Sequence, residues 1–163
     1  LAGLCDGPKK IVANLPYNVA TPLLISWLKK INQFESLTLM FQKEVADRLT
    51  ASPGNKTYGR LSVLVQWLCH ANHDFNIGRT AFTPPPKVES TVVTLTPRSE
   101  PVAAADWQNF EKVTAAAFGQ RRKMLRASLK SLNVDLESLG IDPTARAETL
   151  RVDQFCTIAR AIK

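Results

Sequence analysis

Apolar and polar positions follow two rhythms along this chain. Two short, nearly continuous apolar runs, Ile11-Val12-Ala13 and Leu37-Thr38-Leu39-Met40-Phe41, read as strands buried in a parallel sheet. The stretches after them repeat at helical spacing instead. Leu24, Trp27, Leu28 and Ile31 predict a helix starting at Ala20 or Thr21, with Pro22 in its first turn, where a missing N–H costs little. Residues 42–51 predict a second helix, stopped by Ser52-Pro53-Gly54-Asn55, and Leu61, Leu64, Val65 and Leu68 mark one face of a third over residues 58–70. Residues 74–79 and 90–96 read as an antiparallel pair, the second alternating through Val92-Val93 and Leu95. Between them, Pro84-Pro85-Pro86 imposes a stiff, extended segment over residues 82–88. Residues 1–8 read as a loop that enters a strand over residues 9–13.

Strand, helix, strand, helix and a closing strand pair make the second half of a doubly wound α/β sheet. Such sheets bind ligands beyond the carboxyl ends of their strands, which is where Asn14 falls. A change of composition at Pro97-Arg98-Ser99-Glu100-Pro101 predicts a linker, dividing residues 1–98 from 99–163. Beyond it the strand signal fades. Helical patterns cover residues 106–118, 121–132 and 152–162, with a turn around residues 136–139 that ends at Gly140. This predicts a small α-helical domain appended to the sheet.

Composition narrows the setting. A hydrophobic share of 45% suits a globular core, and no apolar run is long enough to span a bilayer. Cys5, Cys69 and Cys156 are too few and too scattered for a disulfide framework or a zinc site. Cys69, inside an apolar helical run, reads as a buried free thiol. Such usage favours a reducing, cytoplasmic location. The net charge of +7 is shared by both halves and fits a polyanionic partner, since neutralised phosphates release counterions. It also fits a merely soluble basic protein, so clustering is the better test.

Asn14-Leu15-Pro16-Tyr17, at the end of the first strand, is the leading candidate for chemistry. An Asn-x-Pro-aromatic tetrapeptide there suits the holding of a planar amine for methyl transfer. The N6 amine of adenine is a poor nucleophile because its lone pair is delocalised into the ring. Acceptors at both N–H bonds, the Asn14 side-chain oxygen and a backbone carbonyl near Leu15, draw the nitrogen toward a pyramidal, reactive shape. Fixed dipoles of this kind stabilise charge that grows at the transition state. Pro16 stiffens the backbone without offering a competing N–H, and Tyr17 presents a ring for stacking. Four residues alone equally suit an ordinary Asn-x-Pro turn.

The densest cationic cluster is Arg121, Arg122, Lys123, Arg126 and Lys130, and no acidic residue interrupts from Val113 to Val134. Arg122, Arg126 and Lys130 fall at i, i+4 and i+8, so one helix over residues 121–132 would show them as a single stripe. Leu125, Leu129 and Leu132 would dock that helix. A row of cations suits an RNA backbone; the plain alternative is a solvated helix face. Lys43, Arg48 and Arg60 are weaker candidates for the rim of the same surface. Lys87 reads as a phosphate contact or a solvated strand-entry lysine. His70 and His73 lack a third ligand nearby, so no metal site is expected.

Three ordered segments together resemble one family. Asn14-Leu15-Pro16-Tyr17-Asn18 with Thr21-Pro22-Leu23, then residues 82–90 (Phe-Thr-Pro-Pro-Pro-Lys-Val-Glu-Ser), then Gln120-Arg121-Arg122-Lys123, are similar to the small-subunit ribosomal RNA adenine dimethyltransferases. The resemblance runs over essentially the whole chain. It implies a Rossmann-like methyltransferase sheet with S-adenosylmethionine as donor and Asn14 near the donor's methionine end. It implies transfer of two methyl groups to N6 of each of two adjacent adenosines in a small-subunit rRNA hairpin, within a 30S-type particle. It also implies that Tyr17 and Phe82 sandwich a flipped adenine, which recovers the lost stacking. A monomer is expected.

The family's glycine-rich donor turn has no counterpart here, since Gly3 and Gly7 flank Leu4-Cys5-Asp6 with no strand before them. The chain therefore reads as the carboxyl-terminal part of a longer enzyme, inactive alone and weak in donor binding. Its rival is a non-enzymatic RNA-binding or ribosome-assembly module, which keeps the basic helices and dispenses with the donor. A 23S rRNA resistance methyltransferase fits less well, given the long carboxyl-terminal domain. A DNA adenine methyltransferase fits least.

Overall fold

The computed structural model describes residues 7–162. The expectations for residues 1–6, among them Cys5, and for Lys163 lie outside the described residues. Four strands form one sheet in the order β1-β2-β4-β3: β1 is Lys9–Asn14, β2 Phe34–Gln42, β3 Cys69–Ile77 and β4 Ser90–Pro97. The β1–β2 pairing is parallel, with Asn14 opposite Met40, while β4 runs antiparallel to both β2 and β3. This is the half-sheet that the apolar rhythm predicts, except that β3, expected over residues 74–79, runs over residues 69–77.

Leu37, Leu39, Val93 and Leu95 share one face and are fully buried there. The helices α1 (Tyr17–Leu28), α2 (Lys43–Thr50) and α3 (Arg60–Leu68) lie along the buried core. On the opposite face Val12 is 80% exposed and Phe75 57% exposed, so that face is bare among the described residues.

Helix α1 starts earlier than its apolar spacing suggests. The Val19 and Ala20 amides both donate to the Pro16 carbonyl, at 3.0 and 3.1 Å, which makes Pro16 the N-cap and leaves Pro22 inside the helix. Its missing N–H deprives only the exposed Asn18 carbonyl of a helical donor. Helix α3 is shorter at both ends than predicted. The Ser62 hydroxyl accepts the Gly59 N–H at 3.0 Å and fixes the start, so Tyr58 stands outside the helix. Cys69 is not helical, a correction to the sequence reading: its backbone is extended (φ −133°, ψ 155°) and opens β3. The buried thiol is as expected.

After β4 the chain stays tied to α3. The Arg98 and Val102 amides donate to the Leu68 and Trp67 carbonyls at 2.8 and 3.0 Å, and Trp67 Nε1 donates to the Ala103 carbonyl at 2.9 Å. Helices α4 (Trp107–Gly119), α5 (Leu125–Ser128) and α6 (Val152–Ala161) follow. Asp106 caps α4 by accepting the Asn109 N–H at 3.0 Å. Phe110 meets Trp67 with ring centroids 4.1 Å apart, so one continuous apolar core joins the helical lobe to the sheet lobe.

The single helix expected over residues 121–132 does not form. Residues 121–124 are a turn, α5 is one short helix, and residues 130–132 make a 3₁₀ turn ended by Asn133 in the left-handed region (φ 49°). The cause is non-local. The Leu125 and Arg126 amides donate to the Ala145 and Pro143 carbonyls at 2.8 and 2.9 Å, and Met124 bridges Arg146, so these residues pair across the lobe. The apolar half of the expectation survives, because Leu125 and Leu129 are buried.

Candidate functional site

Strand β1 ends at the edge of a cavity of ≈ 350 Å³. Asn14, Leu15, Pro16 and Tyr17 form one wall, Phe82, Pro84 and Pro86 another, and Met40 closes it from the neighbouring strand. Residues 68 positions apart in sequence, Asn14 and Phe82, are thus brought to one opening. The reason is local at both ends. Pro16 turns the chain out of the sheet and caps α1, which sets Tyr17 at the first helical position. Phe82 has extended backbone (φ −121°, ψ 149°) and leads into the proline triplet.

Two acceptors stand ready at this opening. The Asn14 side chain is exposed and has no hydrogen-bond partner among the described residues. Among the described residues the Leu15 carbonyl accepts no backbone bond, whereas the next carbonyl, that of Pro16, accepts two. The Tyr17 ring is held from behind, since its hydroxyl lies 2.7 Å from the Ser90 hydroxyl, and Ser90 is fully buried. Ser90 begins β4 opposite Gln42, and the Lys43 amide donates to the adjacent Glu89 carbonyl at 2.9 Å. Met40 and the Tyr17–Ser90 bond escaped sequence reasoning. Met40 sits mid-strand in an apolar run, where only the parallel register places it beside Asn14.

The cations divide into two groups. Lys43 pairs with Asp47 at 2.8 Å, Arg48 with Glu44, and Arg60 with Glu111 at 3.1 Å. Arg122, Lys123, Arg126, Lys130 and Lys87 are exposed, with no acidic partner among the described residues. Arg121 donates to the Lys56 carbonyl at 2.7 Å, which brings it to the same cleft as Arg48 and Arg60. The cluster at residues 121–130 is therefore a folded turn with exposed cations, not a stripe along one helix. His70 and His73 lie on the edge strand β3, where His70 Nε2 is 3.2 Å from Arg98 Nη1.

A half-sheet of this topology, with a polar tetrapeptide at the carboxyl end of β1 facing an aromatic and a proline wall, defines a methyltransferase-type fold. The model of the ribosomal RNA adenine dimethylase family matches residues 6–163, and the chain belongs to that family. It is 60% identical over 166 residues to ribosomal RNA small subunit methyltransferase A of Rhodospirillum rubrum, covering 99% of this chain and 57% of that protein. The protein of the same name from Paramagnetospirillum magneticum is 59% identical, with 99% and 58% covered. Among solved structures, a dimethyladenosine transferase from Plasmodium falciparum superposes with a TM-score of 0.81 at 26% identity, over 95% of this chain and 67% of that one. The 23S rRNA methyltransferase ErmE shares the fold, with a TM-score of 0.67 at 23% identity, over 97% of this chain and 66% of that one. The chain spans a little over half the length of the curated relatives it matches.

Proposed function

We propose that the whole protein to which this chain belongs methylates N6 of two adjacent adenosines in a small-subunit rRNA hairpin during ribosome maturation. The observation that carries this reading is the convergence of Asn14, Leu15, Tyr17 and Phe82 on one cavity at the carboxyl end of β1. A cavity of ≈ 350 Å³ lies in the range of small-ligand pockets, and a flipped base is a ligand of that size.

In this reading the Tyr17 and Phe82 rings flank the extruded adenine and offset the stacking it gives up. The Asn14 oxygen and the Leu15 carbonyl each accept one N6–H bond. Both acceptors are in place before the amine arrives, so little reorganisation opposes the reaction. S-adenosylmethionine supplies an electrophilic methyl on a sulfonium. In this reading Asn14 stands near the donor's methionine end, and the described residues hold no glycine-rich turn after a strand. No histidine base is required, because the amine nitrogen becomes strongly acidic once methylated. The chain by itself is expected to be inactive, cytoplasmic and monomeric, with Arg121, Arg122, Lys123, Arg126 and Lys130 meeting rRNA phosphates.

The exposed cations of residues 122–130, unpaired among the described residues, favour one second reading, a ribosome-assembly role that needs RNA binding without catalysis. One experiment separates the two. The full-length protein is incubated with labelled S-adenosylmethionine and small-subunit particles lacking the modification, and the rRNA is digested for mass spectrometry. Dimethyladenosine at two neighbouring positions supports the enzyme; tight binding without label transfer supports the assembly module.

A further inference from the structure

Met40 stands apart from the other described residues that line the Asn14 cavity. It alone among them is buried, at 8% exposure, yet it lies outside the continuous apolar core that joins the two lobes. Leu15, the other open-chain apolar residue of the wall, packs against that core instead. Pro16, Pro84 and Pro86 are rings tied into the backbone, and Tyr17 and Phe82 are flat plates. The wall therefore has one apolar side chain that is both flexible and uncommitted to the core.

Register puts that side chain at the reacting end. Met40 pairs directly with Asn14 across the parallel β1–β2 ladder, so both side chains point to the same face of the sheet. Val12, two residues before Asn14 on that face, is 80% exposed. The burial of Met40 thus belongs to the cavity end of the face and not to the face as a whole. Methionine is unbranched, with three rotatable bonds, and fills spaces whose shape is irregular or changes.

A changing shape is what a twice-methylated amine presents. In the first transfer the Asn14 oxygen and the Leu15 carbonyl hold both N6 hydrogens. In the second, the amine carries one hydrogen and one methyl, and its lone pair must again face the donor. The methyl then takes the direction of a former hydrogen, where it cannot donate and needs more room. The N6 lone pair forms the new bond to carbon, the donor's carbon–sulfur bond breaks with its electron pair left on sulfur, and the last N6 proton leaves to water.

We propose that Met40 sets the number of methyl groups added. Its side chain yields to the first methyl on the Asn14 side, while the remaining N6–H stays on the Leu15 carbonyl. This rests on the N6-methylation reading above and deepens it, making Met40 the residue that permits a second transfer.

Met40→Ile in the full-length protein tests this. The change conserves volume and suits a strand, so the fold should hold, but branching at Cβ leaves the side chain stiff. The two transfers are read separately, from time courses of N6-methyladenosine and N6,N6-dimethyladenosine in digested particle rRNA. The first should stay within about twofold of the parent. The ratio of second to first should fall about tenfold or more, the effect of one misplaced methylene in a fitted pocket, so that monomethyladenosine accumulates. Met40→Phe, a strand former with a bulkier and more rigid side chain, is the second probe and should lower the ratio too. Met40→Leu, unbranched at Cβ and matched in volume, should keep the ratio within about threefold of the parent. A merely structural Met40 would slow both transfers alike. Equal slowing or an unchanged ratio in the two stiff variants overturns the proposal, and so does a Leu variant that loses the second transfer as fully as the Ile one. If the parent transfers methyl groups and the variants keep its ratio, only the role of Met40 falls. A parent that transfers none removes the N6-methylation reading itself.

Discussion

The Tyr17 hydroxyl and the Ser90 hydroxyl stand 2.7 Å apart, linking the first residue of α1 to the first residue of β4. Ser90 is fully buried, so this bond is sheltered from water and fixes the Tyr17 ring from behind the cavity. Ser90→Ala removes it without changing the cavity wall. The full-length variant should lose about tenfold in kcat, on the scale of a buried bond to a positioned group, with little change in particle affinity. Single-turnover methylation checks this. A rise in KM at unchanged kcat would instead make Ser90 a binding residue. Ser90→Thr, which keeps the hydroxyl, should restore part of the rate.

Cys69 gives a prediction about pH. Burial pushes its thiol up from an ordinary value of 9.0 to about 12, and that of Cys156 to about 11. Both groups are neutral when protonated, and the unfolded chain loses their protons first. Their contribution to stability is therefore complete below about pH 9 and declines as pH rises toward the folded values. Urea midpoints of the chain should fall between pH 9 and 11, and Cys69→Ala should flatten that fall. Thiol-labelling reagents at pH 8 should modify neither cysteine until the protein is unfolded.

The exposed cations give a prediction about salt. If Arg122 and Lys123 each neutralise a phosphate, replacing both with Ala should lower the slope of log K against log salt by roughly 1.4–1.8, at 0.7–0.9 per contact. Filter binding to small-subunit particles across a salt series measures it. The fold should be unaffected, because both side chains are exposed and make no hydrogen bond among the described residues. An unchanged slope would leave them as solvated charge.

Local apolar rhythm made most of the sheet legible. Leu37, Leu39 and Phe41 face the core from β2, and Val93 and Leu95 face it from β4, as the runs and alternation indicate. Two elements were hidden for physical reasons. The strand β3 begins at Cys69 because backbone pairing with β4 takes over there, while the apolar side chains of α3 run on without a break. Its first residues also alternate weakly, because β3 is an edge strand with much of its length exposed. The helix expected at residues 121–132 has sound spacing, yet Met124 and Arg126 bond to residues 143–146, a partner that no local window contains. The Asn14 wall could be read from four adjacent residues. Met40 and Ser90 could not, since they join the site only through register and packing.

The aromatic wall gives a further expectation. Phe82→Ala should slow methylation by the full-length protein while leaving its melting temperature nearly unchanged, because Phe82 is only half-buried and no ring pairing among the described residues ties it to the core. Stacking on an aromatic ring contributes about 1–3 kcal/mol per base, so the loss should lie between roughly five- and 150-fold. Parallel melting and single-turnover curves measure it, and a large drop in melting temperature would reassign Phe82 to the core.

Asn14 bears the central claim, because its side chain is exposed at the cavity and has no partner among the described residues. The most direct measurement is single-turnover methyl transfer to small-subunit particles by the full-length protein and its Asn14→Ala variant, alongside particle affinity. The account predicts a loss of about 10²–10³ in rate, the usual cost of removing one acceptor or donor aimed at the reacting atoms. Affinity should stay within about twofold, since phosphate contacts dominate it. A variant that methylates at nearly the parent rate would contradict the account, and so would one whose slow methylation is explained by lost binding.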